Sequence, residues 1–303
     1  MSIRPVLSAT PSVPTLEGAG VKLHRAFGFQ NPDMLDPFLL FDDFRNEHPQ
    51  DYLKGFPWHP HRGIETITYV LSGSVEHGDS LGNTGTLTGG DVQWMTAGSG
   101  IMHQEMPQGS DSGQMHGFQL WANLPGSLKM TAPRYQDVKS ADIPVITDDD
   151  GTRVKVIVGD FWGRRGPVDG IAADPQYLDI SVPAGVKKTF SIDTYRRAFA
   201  YVFQGAGQFA DASAPGGVLL EKEVMGQEVN IRDLSGDRTL VRFGTGDEVT
   251  VQAGPDGIRF LLISGAPIQE PIAWHGPIVM NTQDELRQAM SDLRNGTFIR
   301  PAH

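Results

Sequence analysis

Residues 55–73 read GFPWHPHRGIETITYVLSG. From Ile64 onward the stretch alternates. Ile64, Thr66, Thr68 and Val70 share one face, and Glu65, Ile67, Tyr69 and Leu71 share the other, which is the period-two pattern of a β-strand. Just upstream, His59 and His61 are one residue apart, so on an extended chain their side chains face the same way. The chain has only nine histidines. Two of them on one face of one strand call for a chemical reason.

The surrounding composition favours a β-rich protein. The 303 residues include 36 glycines and 21 prolines, which punctuate the chain in the manner of many short strands and turns. Hydrophobic residues make up 39% and charged residues 20%, ordinary values for a globular protein with a sizeable core. No apolar run approaches the ~18 residues of a membrane span, and the start, MSIRPVLSATPSVP, lacks the apolar core of a signal peptide. A net charge of −11 argues against direct binding to nucleic acid or an anionic membrane surface. There are no cysteines, so any metal must be held by nitrogen and oxygen. A cytoplasmic location fits these features.

Further strands are expected at 154–158, 177–182, 198–203, 248–252 and 258–264. One helix is expected over 283–295, with Thr282 and Glu285 forming a capping box, Leu286, Met290 and Leu293 an apolar stripe, and Gly296 the stop. Its charged residues Asp284, Arg287 and Asp292 read as a solvated face. The chain also repeats itself. YVLSGSV (69–75) resembles YVFQGAG (201–207), and GDVQWMTAG (90–98) resembles GDEVTVQAG (246–254), with a longer insertion expected near 207–245 in the second copy. The fold class is therefore all-β: two jelly-roll β-barrel or sandwich domains, 1–145 and 146–303, followed by a short C-terminal helix.

The histidine pair has a counterpart in GSGIMHQEMP (98–107), where His103 and Glu105 are again two apart. Neighbouring antiparallel strands lie only ~4.8 Å apart, so the two pairs can converge on one point. His59, His61, His103 and Glu105 then offer three imidazoles and a carboxylate. That set suits Fe(II), Mn(II), Co(II), Ni(II) or Cu(II), and it leaves two octahedral positions open. Glu65, four residues beyond His61, is an alternative ligand or a group that orients an imidazole. Projected onto the second copy, the four positions become Ser191, Asp193, Arg259 and Leu261, a scaffold without ligands. Trp94, Met102 and Met106 read as packing residues. Met95 reads as a pocket-lining residue, and His116 or Gln119 as pointing into the barrel. His24, His48, His77, His275 and His303 have no partner pattern.

The stretch HPHRGIETITYVLSGSVEHGDSLGNTG…GGDVQWMTAGSGIMHQEMP resembles the pirins, a family within the cupin superfamily. Gly55, His59, His61, Glu65 and Gly73 fit the general cupin pattern G-x-x-x-H-x-H-x-x-x-E-x(7)-G. The second cupin motif departs from that pattern, with Thr96 in place of proline, and this departure is itself similar to pirins. RFLLISGAPIQEPIAWHGPIVMNT (259–282) is similar to the pirin C-terminal domain. The resemblance implies a bicupin with one divalent transition metal, iron foremost and Mn, Co, Ni, Cu or Zn as substitutes, on His59, His61, His103 and Glu105. It also implies quercetin 2,3-dioxygenase activity: a flavonol-like aromatic substrate and dioxygen, ring cleavage and loss of carbon monoxide, with Glu105 taking the substrate's hydroxyl proton. The alternative it implies is a metal- or redox-sensing co-regulator that acts through a protein partner without turnover.

Overall fold

The computed structural model describes residues 2–169, 171–210, 221–224, 227–230 and 234–299. Strands dominate these residues, and the α-helix is Gln283–Asn295. The chain forms two compact units. The first comprises Val13–Asp142, Gly170–Ala173 and Ile268–His303. The second comprises Met1–Ser12, Ile143–Asp169 and Asp174–Pro267. Each unit thus takes in the chain end that sequence order would give to the other.

The first unit holds two main sheets. The strand Ile64–Ser72 lies inside a seven-stranded sheet, paired on one side with Val92–Thr96 and on the other with His116–Asn123. A four-stranded sheet runs in the order Phe56–His61, Ile101–Gln108, Ser74–Asp79, Thr84–Leu87. Phe56–His61 is an edge strand, which suits its sequence. Pro57 and Pro60 lack the amide protons that a central strand would need on both sides. The turn between Phe56–His61 and Ile64–Ser72 contains Gly63 at φ 78°. A Cβ there would lie 1.9 Å from the Val279 carbonyl oxygen, so only glycine fits.

The C-terminal part of this unit is a small hairpin, Ala273–His275 with Ile278–Met280, followed by the helix. The helix has the expected capping box of Thr282 and Glu285, and Gly296 ends it in the left-handed conformation. Leu286 and Ala289 are buried against Ala273, Ile278, Met280 and Phe298, with Met290 and Leu293 packed alongside. Asp292 departs from the solvated face expected for it: its carboxylate pairs with the buried Arg62 at 2.7 Å.

The second unit is built on an eight-stranded sheet around an apolar interior, with small two-stranded hairpins beside it. The stretches 248–252 and 258–264, expected as two strands, form one long strand, Glu248–Gly265. It pairs with Lys187–Ser191 along its first part and with Gln176–Val182 along its last, and between the two the chain is irregular, with Gly257 at φ 77° and a register shift against Arg197–Phe209. Val6–Pro11 extends the sheet by pairing with Thr239–Phe243. The insertion expected near 207–245 lies partly outside the described residues.

Candidate metal centre

Antiparallel pairing of Phe56–His61 with Ile101–Gln108 places His103 opposite His59 and Ile101 opposite His61. A register shift follows, and Glu105 falls opposite Phe56. The ladder therefore draws the two sequence pairs together. The ring centroids of His59, His61 and His103 are 4.3–4.9 Å apart. One ring nitrogen from each lies within 4.8 Å of the others. Among the described residues this is the one group of three or more candidate ligands that can reach a common ion.

The hydrogen bonds around the rings fix their tautomers. His59 Nδ1 is 2.8 Å from the Pro57 carbonyl oxygen, and His61 Nδ1 is 3.2 Å from that of Pro277. A carbonyl only accepts, so both Nδ1 atoms carry the proton. Both Nε2 atoms are then unprotonated in the neutral rings, yet they face each other at 3.1 Å. Two lone pairs at that distance repel, and a cation between them turns repulsion into attraction. The third nitrogen, His103 Nε2, is buried with no hydrogen-bond partner among the described residues. Leaving such an atom unpaired costs about 1–3 kcal/mol. Burial first, and the adjacent imidazoles second, hold His61 and His103 well below the ordinary imidazole range, so both stay neutral near pH 7 with lone pairs available. Coordination to a metal satisfies all three nitrogens at once. The residues present fit a nitrogen-ligated metal ion.

Glu105 lies outside the group of three but beside it on the same strand, in the wall of the adjoining cavity. Its Oε1 is 2.8 Å from Thr68 Oγ1, which is 2.7 Å from Gln119 Oε1. A hydroxyl has one proton to donate. The Thr68 proton therefore goes to Glu105 Oε1, and the Gln119 amide turns its NH2 toward Thr68; when Glu105 is protonated it can donate to Thr68 instead, and the Thr68 proton then goes to the Gln119 carbonyl. Burial pushes the Glu105 carboxyl up, with the neighbouring His59 and the Thr68 hydroxyl acting against it. Glu65 plays neither role weighed for it. The turn at Arg62–Gly63 resets the alternation, and the Glu65 carboxylate accepts from Thr96 Oγ1 at 2.7 Å. It does not line the cavity. Burial raises it to about 7.

The cavity holds about 420 Å³, within the range of roughly 300–1,000 Å³ common for small-molecule sites. His59, His61, Glu105, Thr68 and Gln119 line one part of it. Leu40, Phe56, Val75, Met115 and Trp121 supply apolar walls. Trp121 meets His61 edge-on at 5.0 Å, and Phe29 lies edge-on to Trp121 at 6.4 Å and tilted against Trp274 at 4.4 Å. Arg25 also reaches the wall, with Nε and Nη2 donating to both oxygens of Asp42 at 2.8 and 2.7 Å and Nη1 2.8 Å from Glu17. Burial still holds Asp42 at about 6.

The structure places Gln119 in the cavity wall, whereas Met95 is packed with Leu39, Ile64, Ala97 and Ile101 and lies outside it. Trp94 is fully buried. His77 is buried beside Tyr135 and Asp137. Sequence reading missed Thr68, Trp121, Arg25, Asp42 and Pro277. For Thr68 a signal existed, because it shares a strand face with Ile64 and Thr66. Trp121, Arg25 and Asp42 come from strands of the facing seven-stranded sheet, and Pro277 from the turn of the C-terminal hairpin; neither placement has a local signature near the histidines.

Comparison with known proteins gives a consistent result. Residues 20–122 match the Pirin family model, and residues 177–299 match the Pirin C-terminal cupin domain. A pirin-like protein of Caulobacter vibrioides is 44% identical over 299 residues, covering 98% of this chain and all of that one. Human pirin is 40% identical over 281 residues, covering 92% of this chain and 88% of its own length. A crystal structure of quercetin 2,3-dioxygenase from Acinetobacter baumannii superposes with a TM-score of 0.83 at 30% identity, covering 98% of this chain and 99% of that one. The chain belongs to the pirin family and has its bicupin fold.

Proposed function

We propose that this pirin-family chain is a metal-dependent dioxygenase that opens the heterocyclic ring of a flavonol-like substrate with dioxygen and releases carbon monoxide. The observation that carries the reading is the set of three mutually facing imidazole nitrogens, one of them orphaned, at the wall of an aromatic-lined cavity that also presents a buried carboxyl. His59, His61 and His103 would hold the ion, with Glu105 as fourth ligand or as the adjacent base. Iron is the first choice of metal, with Mn, Co, Ni, Cu or Zn as alternatives. When bound, such a metal supplies Lewis acidity and an open position for a substrate oxygen.

The chain's own residues do the rest. Phe29, Phe56 and Trp121 offer flat apolar surface to an aromatic ring. Burial raises the proton affinity of Glu105, which suits it to take the proton of a substrate hydroxyl. Thr68 and Gln119 hold that carboxyl in one orientation and adjust as it gains or loses the proton. The enclosing walls limit water around the developing anion.

The test is anaerobic reconstitution with each divalent metal, followed by flavonol and oxygen. Loss of flavonol absorbance with stoichiometric carbon monoxide is expected for at least one metal. Metal uptake with no loss under any metal would sink the enzymatic reading and favour the sensing, partner-dependent alternative.

A further inference from the structure

His61 depends on a part of the chain more than 200 residues away. Its Nδ1 proton goes to the carbonyl of Pro277, in the turn of the C-terminal hairpin. The next residue, Arg62, is almost fully buried and bridges alongside Ile278. The Val279 amide donates to the Arg62 carbonyl at 3.1 Å. The Arg62 guanidinium then reaches the helix end: Nη1 donates to Asp292 at 2.7 Å, Nη2 donates to the Phe298 carbonyl at 3.0 Å, and the group lies 4.2 Å over the Phe298 ring. From the other side, buried Lys129 Nζ donates to the carbonyls of Gly63 and Val279 and to Asn123 Oδ1, at 2.9, 3.0 and 2.7 Å. Residues 61–63 and 277–279 are therefore clamped together at both ends. Pro277 lines the cavity, while Arg62, Lys129, Asp292 and Phe298 do not, yet together they fix where one imidazole points.

We propose that the C-terminal hairpin and helix, clamped by Arg62, Asp292 and Lys129, position His61 and its tautomer for metal binding, so that metal affinity is set partly from the chain's C-terminal end. This inference rests on the metal reading of the three histidines. A carbonyl fixed on Nδ1 leaves Nε2 as the only donor atom and prevents the ring from flipping. Breaking the Arg62–Asp292 contact frees the hairpin to drift, and the Nδ1 bond lengthens first because it is already the longest of the set. Arg62 and Lys129 are thus positioning residues, and the C-terminal segment is part of the metal site without contributing a ligand.

The first test uses the wild-type protein without metal and ¹⁵N-labelled histidine. His61 is expected as the Nδ1–H tautomer, with its ring proton protected from solvent exchange. The Nε2–H tautomer, or a freely exchanging Nδ1 proton, would overturn the proposal even if every variant failed to fold. The second test titrates Co(II) into wild type, Asp292→Asn, Arg62→Lys and Arg62→Gln, each confirmed folded by circular dichroism. Affinity should fall about tenfold in Asp292→Asn and Arg62→Gln with a shift of the visible absorption bands, and Arg62→Lys should recover part of the loss. Unchanged affinity and spectrum in folded variants would overturn this inference alone. No Co(II) uptake by wild type would overturn the metal reading and this inference with it.

Discussion

The two units of this chain share a β architecture and buried apolar clusters, but they differ in how much of the interior is given to polar groups. The second unit is packed with apolar side chains, among them Val154, Leu178, Ile180, Phe190, Val202, Val241, Phe260 and Leu262, all 0–1% exposed. The first unit brings three histidines, Glu105, Thr68, Gln119 and Asp42 together in and around a cavity of about 420 Å³. The positions that sequence alignment of the two halves sets opposite the four candidate ligands have other uses in the second unit. Arg259 donates to both oxygens of Asp179 at 2.9 and 2.7 Å, Asp193 accepts from Arg196, and Leu261 is core. The difference shows that the fold does not require the histidines. The second unit gives its interior to apolar packing, whereas the first gives part of its interior to polar atoms around a cavity, an arrangement that suits the proposed site.

Substitutions on either side of this comparison should have opposite signatures. Phe260→Ala, in the filled interior, should cost about 3–5 kcal/mol in denaturant unfolding and leave metal stoichiometry intact. His103→Ala should do the reverse. It removes a buried unpaired nitrogen, so stability without metal should change little, while metal content falls below about a tenth of an ion per chain. Equal loss of metal in both variants would break the comparison.

A middle-sized effect concerns Glu65, which is buried near the site without belonging to it. Its folded value of about 7 lies above its ordinary value of 4.5. A raised carboxyl binds more protons in the folded state than in the unfolded state across that interval. Its contribution to stability is therefore full below the ordinary value and is lost as pH rises through about 7. Wild type should lose on the order of 2–3 kcal/mol relative to Glu65→Gln between pH 4.5 and 7.5, measured by unfolding at each pH. Parallel pH profiles for the two proteins would contradict this. The smallest effect sharpens the role of the polar chain in the first unit. Thr68→Val keeps the shape of the side chain and removes the hydroxyl that links Glu105 to Gln119. Metal content should hold while turnover falls roughly tenfold, or about 1.4 kcal/mol. A loss of metal equal to that of His103→Ala would instead make Thr68 part of the binding frame.

Much of this was legible in the sequence because it rests on local spacing. Alternation marked Ile64–Ser72, the capping box and Gly296 marked the helix, and the two i, i+2 pairs marked the histidine strands. The unread parts depend on long-range pairing. Nothing near Pro277 reveals that its carbonyl meets His61, and nothing near Asp292 reveals the buried Arg62 opposite it. Glu65, the alternative to Glu105, is a different case: the alternation starts afresh after the turn at Gly63, so its spacing from His61 does not put it on the imidazole face. No described helix is long and apolar enough to cross a membrane, in keeping with the absence of long apolar runs.

The most direct measurement is anomalous diffraction from crystals of the metal-loaded protein, collected at the absorption edge of the metal used. One peak is expected in the first unit, about 2 Å from Nε2 of His59, His61 and His103. A peak elsewhere, or none at full metal loading, would contradict the assignment of these three histidines as the metal centre.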